Sequence, residues 1–289
     1  MGFPKSFSQL REHLDKTDKQ LPEQILAWEV EETEKSRINI IEKMENYWKV
    51  MKEGVNEGLR PDIKSVSGLT GGDAYKLLKD SQSLIGKPPK KAMAYAMAMA
   101  EVNASMGKIV ATPTAGSCGI MPGVLMAVEE EFDINQEEVV NAIFVASMIG
   151  KIIAYKGTVA GAEGGCQAEC GSASAMSAGA VTYLLGGSLK QIENAVAISI
   201  KNVMGLVCDP VAGLVEVPCI KRNGHYAAAA MISAQMALAD VHSVIDVDEV
   251  IDAMAEVGKM LPEELRETSM GGLANTSSAR RIEKVLRGE

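Results

Sequence analysis

Residues 92–102 read AMAYAMAMAEV, and four later stretches have the same character. These stretches are IFVASMIGKIIAY at 143–155, ASAMSAGAVTYLL at 173–185, AVAISIKNVMGL at 195–206 and YAAAAMISAQMALAD at 226–240. Drawn as helices, they carry small or apolar residues around nearly their whole circumference, which is typical of helices buried inside a bundle. Ala, Gly and Ser also let helix axes approach closely. We therefore predict a mainly α fold, a compact bundle of buried Ala-, Gly- and Met-rich helices.

The N-terminal part of the chain has a different composition. Residues 5–58 are rich in Glu, Lys and Gln, and their apolar residues recur at helical spacing. This pattern predicts two amphipathic helices, with Pro22 at the start of the first long one. We expect Gly54, Gly58 and Pro61 to close the region.

The following residues predict a short helix and a weak strand. Residues 73–84 favour a helix capped by Asp73, and IVATP at 109–113 is the best strand candidate. We expect an N-terminal helical segment at 1–60 and a helical domain at 61–289 that carries the functional site. The two parts are either separate or form one continuous domain.

The overall composition excludes several classes of protein. The chain has 289 residues, 47% of them hydrophobic and 4% aromatic, with a net charge of −9. It is too apolar to be disordered, and too acidic for a nucleic acid to be an expected partner. No apolar run approaches the roughly 18 residues of a membrane span, and the N-terminus lacks an apolar signal core. We predict a cytoplasmic protein with no membrane partner.

The cysteines are concentrated in loops. All five lie in three glycine-rich segments, 112–123, 157–171 and 206–223, and none lies in a predicted helix. Without a secretion signal, a disulfide framework is not expected. Three interpretations of the cysteines remain open. They are metal or cluster ligands, a catalytic thiolate, or buried unreactive thiols. Spacing alone would pair Cys166 with Cys170.

Other polar groups accompany the thiols. The segment 112–123 has the composition of an anion-binding nest and leads into a helix predicted to begin near Pro122. Candidate acid/base groups or partners of the ligands are Glu163, Glu169, Asp209 and Glu216, and candidate carboxylate-binding groups are Lys221, Arg222 and Asn223. His225 is more simply a structural residue.

Several segments together resemble a known family. They are SGLTGGDAYK at 67–76, TPTAGSCGIMPGV at 112–124, GAEGGCQAECG at 161–171, GLVCDPVAGLVEVPCIKRN at 205–223 and GGLANT at 271–276. In sequence and in order they resemble the α subunit of the iron–sulfur-dependent L-serine dehydratases.

The resemblance implies a chemistry. It implies an enzyme that converts L-serine to pyruvate and ammonia without pyridoxal phosphate. It also implies a [4Fe–4S] cluster held by Cys166, Cys208 and Cys219, with Cys118 and Cys170 outside the ligand set. Three thiolate ligands leave one iron able to act as a Lewis acid on the serine hydroxyl.

The resemblance further implies a partner subunit. Single-chain relatives carry an additional domain with a Ser-His-Thr motif, which this sequence lacks, so we expect a separate β subunit and assign no catalytic base here. Substrate contacts are expected from Thr114, Ala115 and Gly116 and from Lys221, Arg222 and Asn223.

Three other hypotheses remain at this point. One is a related cluster-dependent L-cysteine desulfidase, and another is a metal-binding subunit without catalytic activity. The third is a pyridoxal-phosphate lyase, for which Lys156 is the only loop lysine near the glycine-rich segments.

Overall fold

The computed structural model describes residues 2–289, and in that range it contains thirteen α-helices and no β-strand. The prediction of a mainly α fold is confirmed. The helices are α1 Phe7–Leu14, α2 Leu21–Thr33, α3 Arg37–Gly58, α4 Asp73–Lys79, α5 Lys87–Ala104, α6 Ile120–Phe132, α7 Gln136–Lys156, α8 Gly161–Gly164, α9 Ser172–Leu184, α10 Leu189–Lys201, α11 Cys219–Leu238, α12 Val247–Met260 and α13 Ser277–Arg287. A π-helical turn, Gln167–Gly171, leads into α9, and 3-10 turns occupy Val211–Gly213, Glu263–Leu265 and Gly272–Asn275.

Small residues allow the central helices to pack closely. Helix α5 packs against α3, α6 and α11, while α9 packs against α6, α7, α10 and α11. A Cβ atom on Gly58 would lie 2.0 Å from the Ala98 carbonyl oxygen, and one on Gly123 would lie 2.5 Å from the Ala96 nitrogen. Glycine at these two positions therefore lets α3 and α6 contact the backbone of α5.

The N-terminal region contains three helices, so the prediction of two was wrong. The additional helix, α1, begins after Ser6, whose hydroxyl accepts a hydrogen bond from the Gln9 N–H. It is separate because the polar residues 15–20 interrupt the apolar pattern. Gly54 lies inside α3, where it faces Met99 of α5 at close range, whereas Gly58 is the last residue of the helix and ends it as expected.

Other predicted boundaries differ from those in the structure. The N-cap of α4 is Gly72, in the left-handed conformation, and not Asp73. Helix α6 begins at Ile120, two residues before Pro122. The weak strand candidate at 109–113 forms no strand.

The expectation that no apolar run approaches a membrane span was wrong by length and composition, because one helix in the described range, α7, is long and apolar enough on those two criteria alone. In this fold 67% of its apolar stretch is buried inside the protein, where α7 packs against α2 and α9. Buried core helices of globular proteins commonly have this composition.

Candidate metal centre

The three glycine-rich segments meet where α9 and α11 begin. Cys166 directly precedes the π turn, and Cys170 lies within it. Cys219 is the first residue of α11. The expectation that no cysteine lies in a helical element was therefore wrong for Cys170 and Cys219, because the π turn and α11 begin earlier than the composition suggests.

The four thiols of the last two segments influence one another. Cys166 Sγ is 3.3 Å from Cys170 Sγ. The hydrogen bond between these two thiols, followed by the positive charge of Arg222, holds the pKa of Cys166 below its usual value despite burial. Burial and the charge of Cys166 raise the pKa of Cys219 to about 12 and that of Cys208 further. Cys166 is thus the thiol most readily converted to a thiolate.

Glu169 lies between the sulfurs and the 112–123 segment. Its Oε1 accepts a hydrogen bond of 2.7 Å from the Thr114 hydroxyl, and its Oε2 lies 3.9 Å from Cys208 Sγ. Burial raises the pKa of this carboxyl group. A Cβ atom on Gly161 would lie 2.6 Å from Glu169 Oε2 and 3.2 Å from Cys208 Sγ, and one on Gly116 would lie 3.1 Å from Glu169 Oε1. Glycines therefore leave room for the carboxylate and a sulfur.

Arg222 supplies the positive charge of the site. Its guanidinium pairs with Asp209 at 2.9 Å and donates to the Val207 carbonyl oxygen at 3.0 Å. The same side chain lowers the pKa of Cys166 through its charge and a hydrogen bond. Because Arg222 is only 15% exposed, it is held in one place beside the thiols.

Asn223 joins the first glycine-rich segment to α11. Its Oδ1 accepts from the Gly119 N–H at 2.9 Å, while its Nδ2 donates to the carbonyl oxygens of Gly116 and Cys219 at 2.8 and 2.9 Å. Both N–H donors of the amide are therefore used within the protein, and Asn223 fixes the path of the 112–119 backbone.

The SGLTGG segment is attached to the same loop. Glu216 Oε2 accepts hydrogen bonds from the Ser67 and Thr70 hydroxyls, at 2.8 and 3.0 Å. Lys221 pairs with Asp73 at 2.7 Å and is half exposed. These contacts hold residues 67–73 against the start of α11.

Residues near the C-terminus also hold the cysteine loop. The Cys208 N–H donates to the Leu265 carbonyl oxygen at 2.8 Å, and the Glu267 N–H donates to the Cys208 carbonyl oxygen at 2.7 Å. Asp209 Oδ2 accepts from the Leu273 N–H at 2.7 Å. Sequence reasoning missed these contacts at Leu265 and Glu267, and the only signal for the region was the glycine pair before Leu273.

Three other candidates form no hydrogen bond with the four thiols described above. Cys118 is fully buried, and burial raises its pKa to about 12. Glu163 is exposed, and His225 packs its ring against Tyr226 on the surface of α11. Across residues 2–289, no three Cys, His, Asp or Glu side chains are arranged to hold a single metal ion.

Comparisons with known proteins agree on one family. The family described as "Serine dehydratase alpha chain" matches residues 16–274. A "Probable L-serine dehydratase, alpha chain" of Bacillus subtilis is 48% identical over 91% of this chain and 89% of its own length. The "L-serine dehydratase, alpha chain" of Peptoniphilus asaccharolyticus is 43% identical over 90% of each chain. An "L-serine dehydratase" of Streptomyces coelicolor is 39% identical to this chain. The alignment covers 78% of this chain and 51% of the Streptomyces protein.

Proposed function

The chain belongs to the serine dehydratase alpha chain family, and we propose that it is the α chain of an enzyme that deaminates L-serine to pyruvate and ammonia. The relatives with this name align over about nine tenths of both chains. The enzyme is accordingly a carbon–nitrogen lyase. The observation that carries the proposal is the gathering of three buried or nearly buried thiols, Cys166, Cys208 and Cys219, with the charge of Arg222 acting on Cys166 and Cys219.

The proposed cofactor is a [4Fe–4S] cluster held by Cys166, Cys208 and Cys219, with no pyridoxal phosphate. Two observations support this ligand set. The donors are soft sulfurs, which such clusters use, and the charge on Cys166 raises the pKa of both other thiols, so the three groups interact electrostatically. A cluster takes its ligands on different irons, so its ligands need wider spacing than those of a single ion. When bound, the cluster supplies a Lewis acid for the serine hydroxyl.

Residues of this chain are proposed to bind and orient serine. Arg222 has five N–H donors, and its contacts with Asp209 and Val207 leave donors for a carboxylate. Backbone N–H groups at Ala115 and Gly116, the Thr114 hydroxyl and Lys221 complete the proposed set, with Asn223 supporting it through the backbone.

A β subunit is proposed to complete the active site and to carry the catalytic base. Support comes from the relatives: two are named as alpha chains, and the Streptomyces coelicolor relative, whose name specifies no chain, is about twice as long as the region it shares with this chain. Because cluster thiolates require a reducing compartment, we propose that the enzyme acts in the cytoplasm.

Iron content tests the ligand set directly. After anaerobic purification and reconstitution, Cys→Ser variants at 166, 208 and 219 should each lose most of their iron and sulfide, because each removes a proposed ligand. Variants at the two other cysteines, Cys118 and Cys170, should keep both. Loss of iron at Cys118 with retention at Cys219 would show the ligand set to be wrong.

A further inference from the structure

Two of the five cysteines lie side by side. Cys166 Sγ and Cys170 Sγ are 3.3 Å apart, and the two residues are only 3% and 1% exposed. In the part of the chain that the structure describes, no other two cysteine sulfurs are hydrogen-bonded to each other. Cys170 has no place in the proposed ligand set, so its position against Cys166 needs its own explanation.

The backbone between the two cysteines suits a covalent link. They are separated by most of the π turn Gln167–Gly171. Four residues of helix rise about 6 Å, and cysteines joined by a disulfide have Cα atoms about 4.4–6.8 Å apart. An S–S bond is about 2.05 Å long, so rotation of the two side chains has to close a gap of about 1.3 Å from the observed 3.3 Å.

We propose that Cys166 and Cys170 are oxidised to a reversible disulfide when Cys166 is not bound to the cluster and an oxidant is present. This inference rests on the proposed function in one respect, the role of Cys166 as a ligand. A sulfur bound to iron is not free to form a disulfide. Once released, the Cys166 sulfur already contacts Cys170, whereas Cys208 is next to Glu169.

The proposed oxidant is hydrogen peroxide, which is small enough to reach a buried thiol. The Cys166 thiolate attacks one peroxide oxygen, the O–O bond breaks, and hydroxide leaves a sulfenic acid on Cys166. The Cys170 sulfur then attacks the Cys166 sulfur, the S–O bond breaks, and the departing hydroxide takes the Cys170 proton as water. In sum, two thiols are oxidised to one disulfide and one peroxide is reduced to two waters.

By forming this disulfide, Cys170 protects the proposed cluster ligand Cys166 from irreversible oxidation. A sulfenic acid that meets no second thiol is oxidised further to a sulfinic acid, which a thiol reductant does not reverse. A disulfide is returned to two thiols by exchange with a dithiol. The cluster-free protein can therefore regain Cys166 after oxidation.

Peptide mapping tests the disulfide without any activity assay. The full chain is freed of iron anaerobically with a chelator, treated with hydrogen peroxide, alkylated and digested with trypsin. The tryptic peptide 157–190 contains Cys166 and Cys170, 202–221 contains Cys208 and Cys219, and 109–151 contains Cys118. We expect peptide 157–190 to lose two hydrogens and take up no alkyl group, while the other two are fully alkylated. Full alkylation of 157–190, or a disulfide involving 202–221, would overturn the proposal.

A matched pair of variants tests the protective role. Before peroxide, Cys170→Ser and the control Cys118→Ser should both take up iron like the wild type, with unchanged circular dichroism. After peroxide and then dithiothreitol, the wild type and the control should regain iron, whereas Cys170→Ser should carry sulfinic Cys166 and lose most iron uptake. Full recovery by Cys170→Ser would refute the role. Failure of all three proteins to bind iron at the outset would instead count against the ligand set, while the peptide map still reports on the disulfide.

Discussion

At the scale of single residues, glycines shape the candidate site as much as the residues with functional side chains do. Gly161 and Gly116 border the Glu169 carboxylate from two sides. Thr114 donates to one oxygen of that carboxylate, and the other oxygen faces Cys208. The position of the Cys208 sulfur thus depends on residues that contribute no side chain of their own.

Gly161→Ala should therefore impair iron binding. The added Cβ would lie 2.6 Å from Glu169 Oε2 and 3.2 Å from Cys208 Sγ, and overpacking of this kind typically costs about 1–3 kcal/mol. We expect a marked loss of iron after anaerobic reconstitution, with helix content by circular dichroism unchanged. The exposed neighbour provides the control, Ala162→Ser, which should bind iron normally. Wild-type iron content in Gly161→Ala would contradict the packing argument.

The site was only partly predictable from its residues. Confinement of the thiols to glycine-rich loops indicated a site, and the spacing of Cys166 and Cys170 correctly suggested proximity. Their assignment as a ligand and a bystander came from the resemblance and stays a prediction. The ion pair of Arg222 with Asp209 was not predictable, because it depends on how two loop segments fold back on each other.

At the scale of elements, α4 is capped by a residue from another helix. Glu101 on α5 is 1% exposed, and its carboxylate accepts the Gly72 and Asp73 N–H groups at 3.2 and 2.8 Å. Sequence alone favoured a local cap at Asp73, because local capping residues are the usual signal. Asp73 instead pairs with Lys76 and Lys221.

The buried carboxylate predicts a pH effect on stability. Burial raises the pKa of Glu101 above its ordinary value of 4.5, so the folded protein holds this proton more tightly than the unfolded chain does. The resulting stabilisation is complete below the unfolded pKa and is lost as the pH rises through the folded pKa. Relative to the wild type, Glu101→Gln should therefore gain unfolding free energy between pH 4 and pH 7. Urea unfolding across this range measures the difference, and a constant difference would contradict it.

Close packing of α3 on α5 predicts a second stability effect. A Cβ at Gly58 would lie 2.0 Å from the Ala98 carbonyl oxygen, a backbone atom that cannot rotate away. Gly58→Ala should lower the unfolding free energy by about 1–3 kcal/mol or more, measured by the urea midpoint. Glu57→Ala, at the exposed neighbouring position, should change it little. Equal midpoints for the two variants would show that the helices can separate at no cost.

At the scale of the whole molecule, the existence of the helices was predictable and their number and ends were not. The apolar runs correctly indicated the buried helices, because a helix apolar all round has to be buried. The number of N-terminal helices was wrong because six polar residues at 15–20 interrupt a pattern that otherwise continues. Helix ends depend on partners distant in sequence, as with Glu101 and α4.

We propose that this chain holds the cluster and that a β subunit carries the catalytic base. This arrangement predicts different serine turnover for the chain alone and for the assembled enzyme. Purified anaerobically, this chain should bind iron yet produce little pyruvate from L-serine, because the base is proposed to lie on the β subunit. A missing general base costs about 10²–10⁴-fold in rate, and adding the β subunit should restore turnover. Substantial pyruvate formation by the chain alone would contradict the assignment.

The backbone pairing of Cys208 with Leu265 and Glu267 has a consequence for biosynthesis. Chains emerge from the ribosome N-terminus first, so all five cysteines are made before the residues that hold Cys208 in place. The sulfur site is therefore incomplete on the nascent chain until residue 267 has emerged. If the proposed cluster is bound here, iron is expected to be delivered after synthesis, to a polypeptide that has already folded around its thiols.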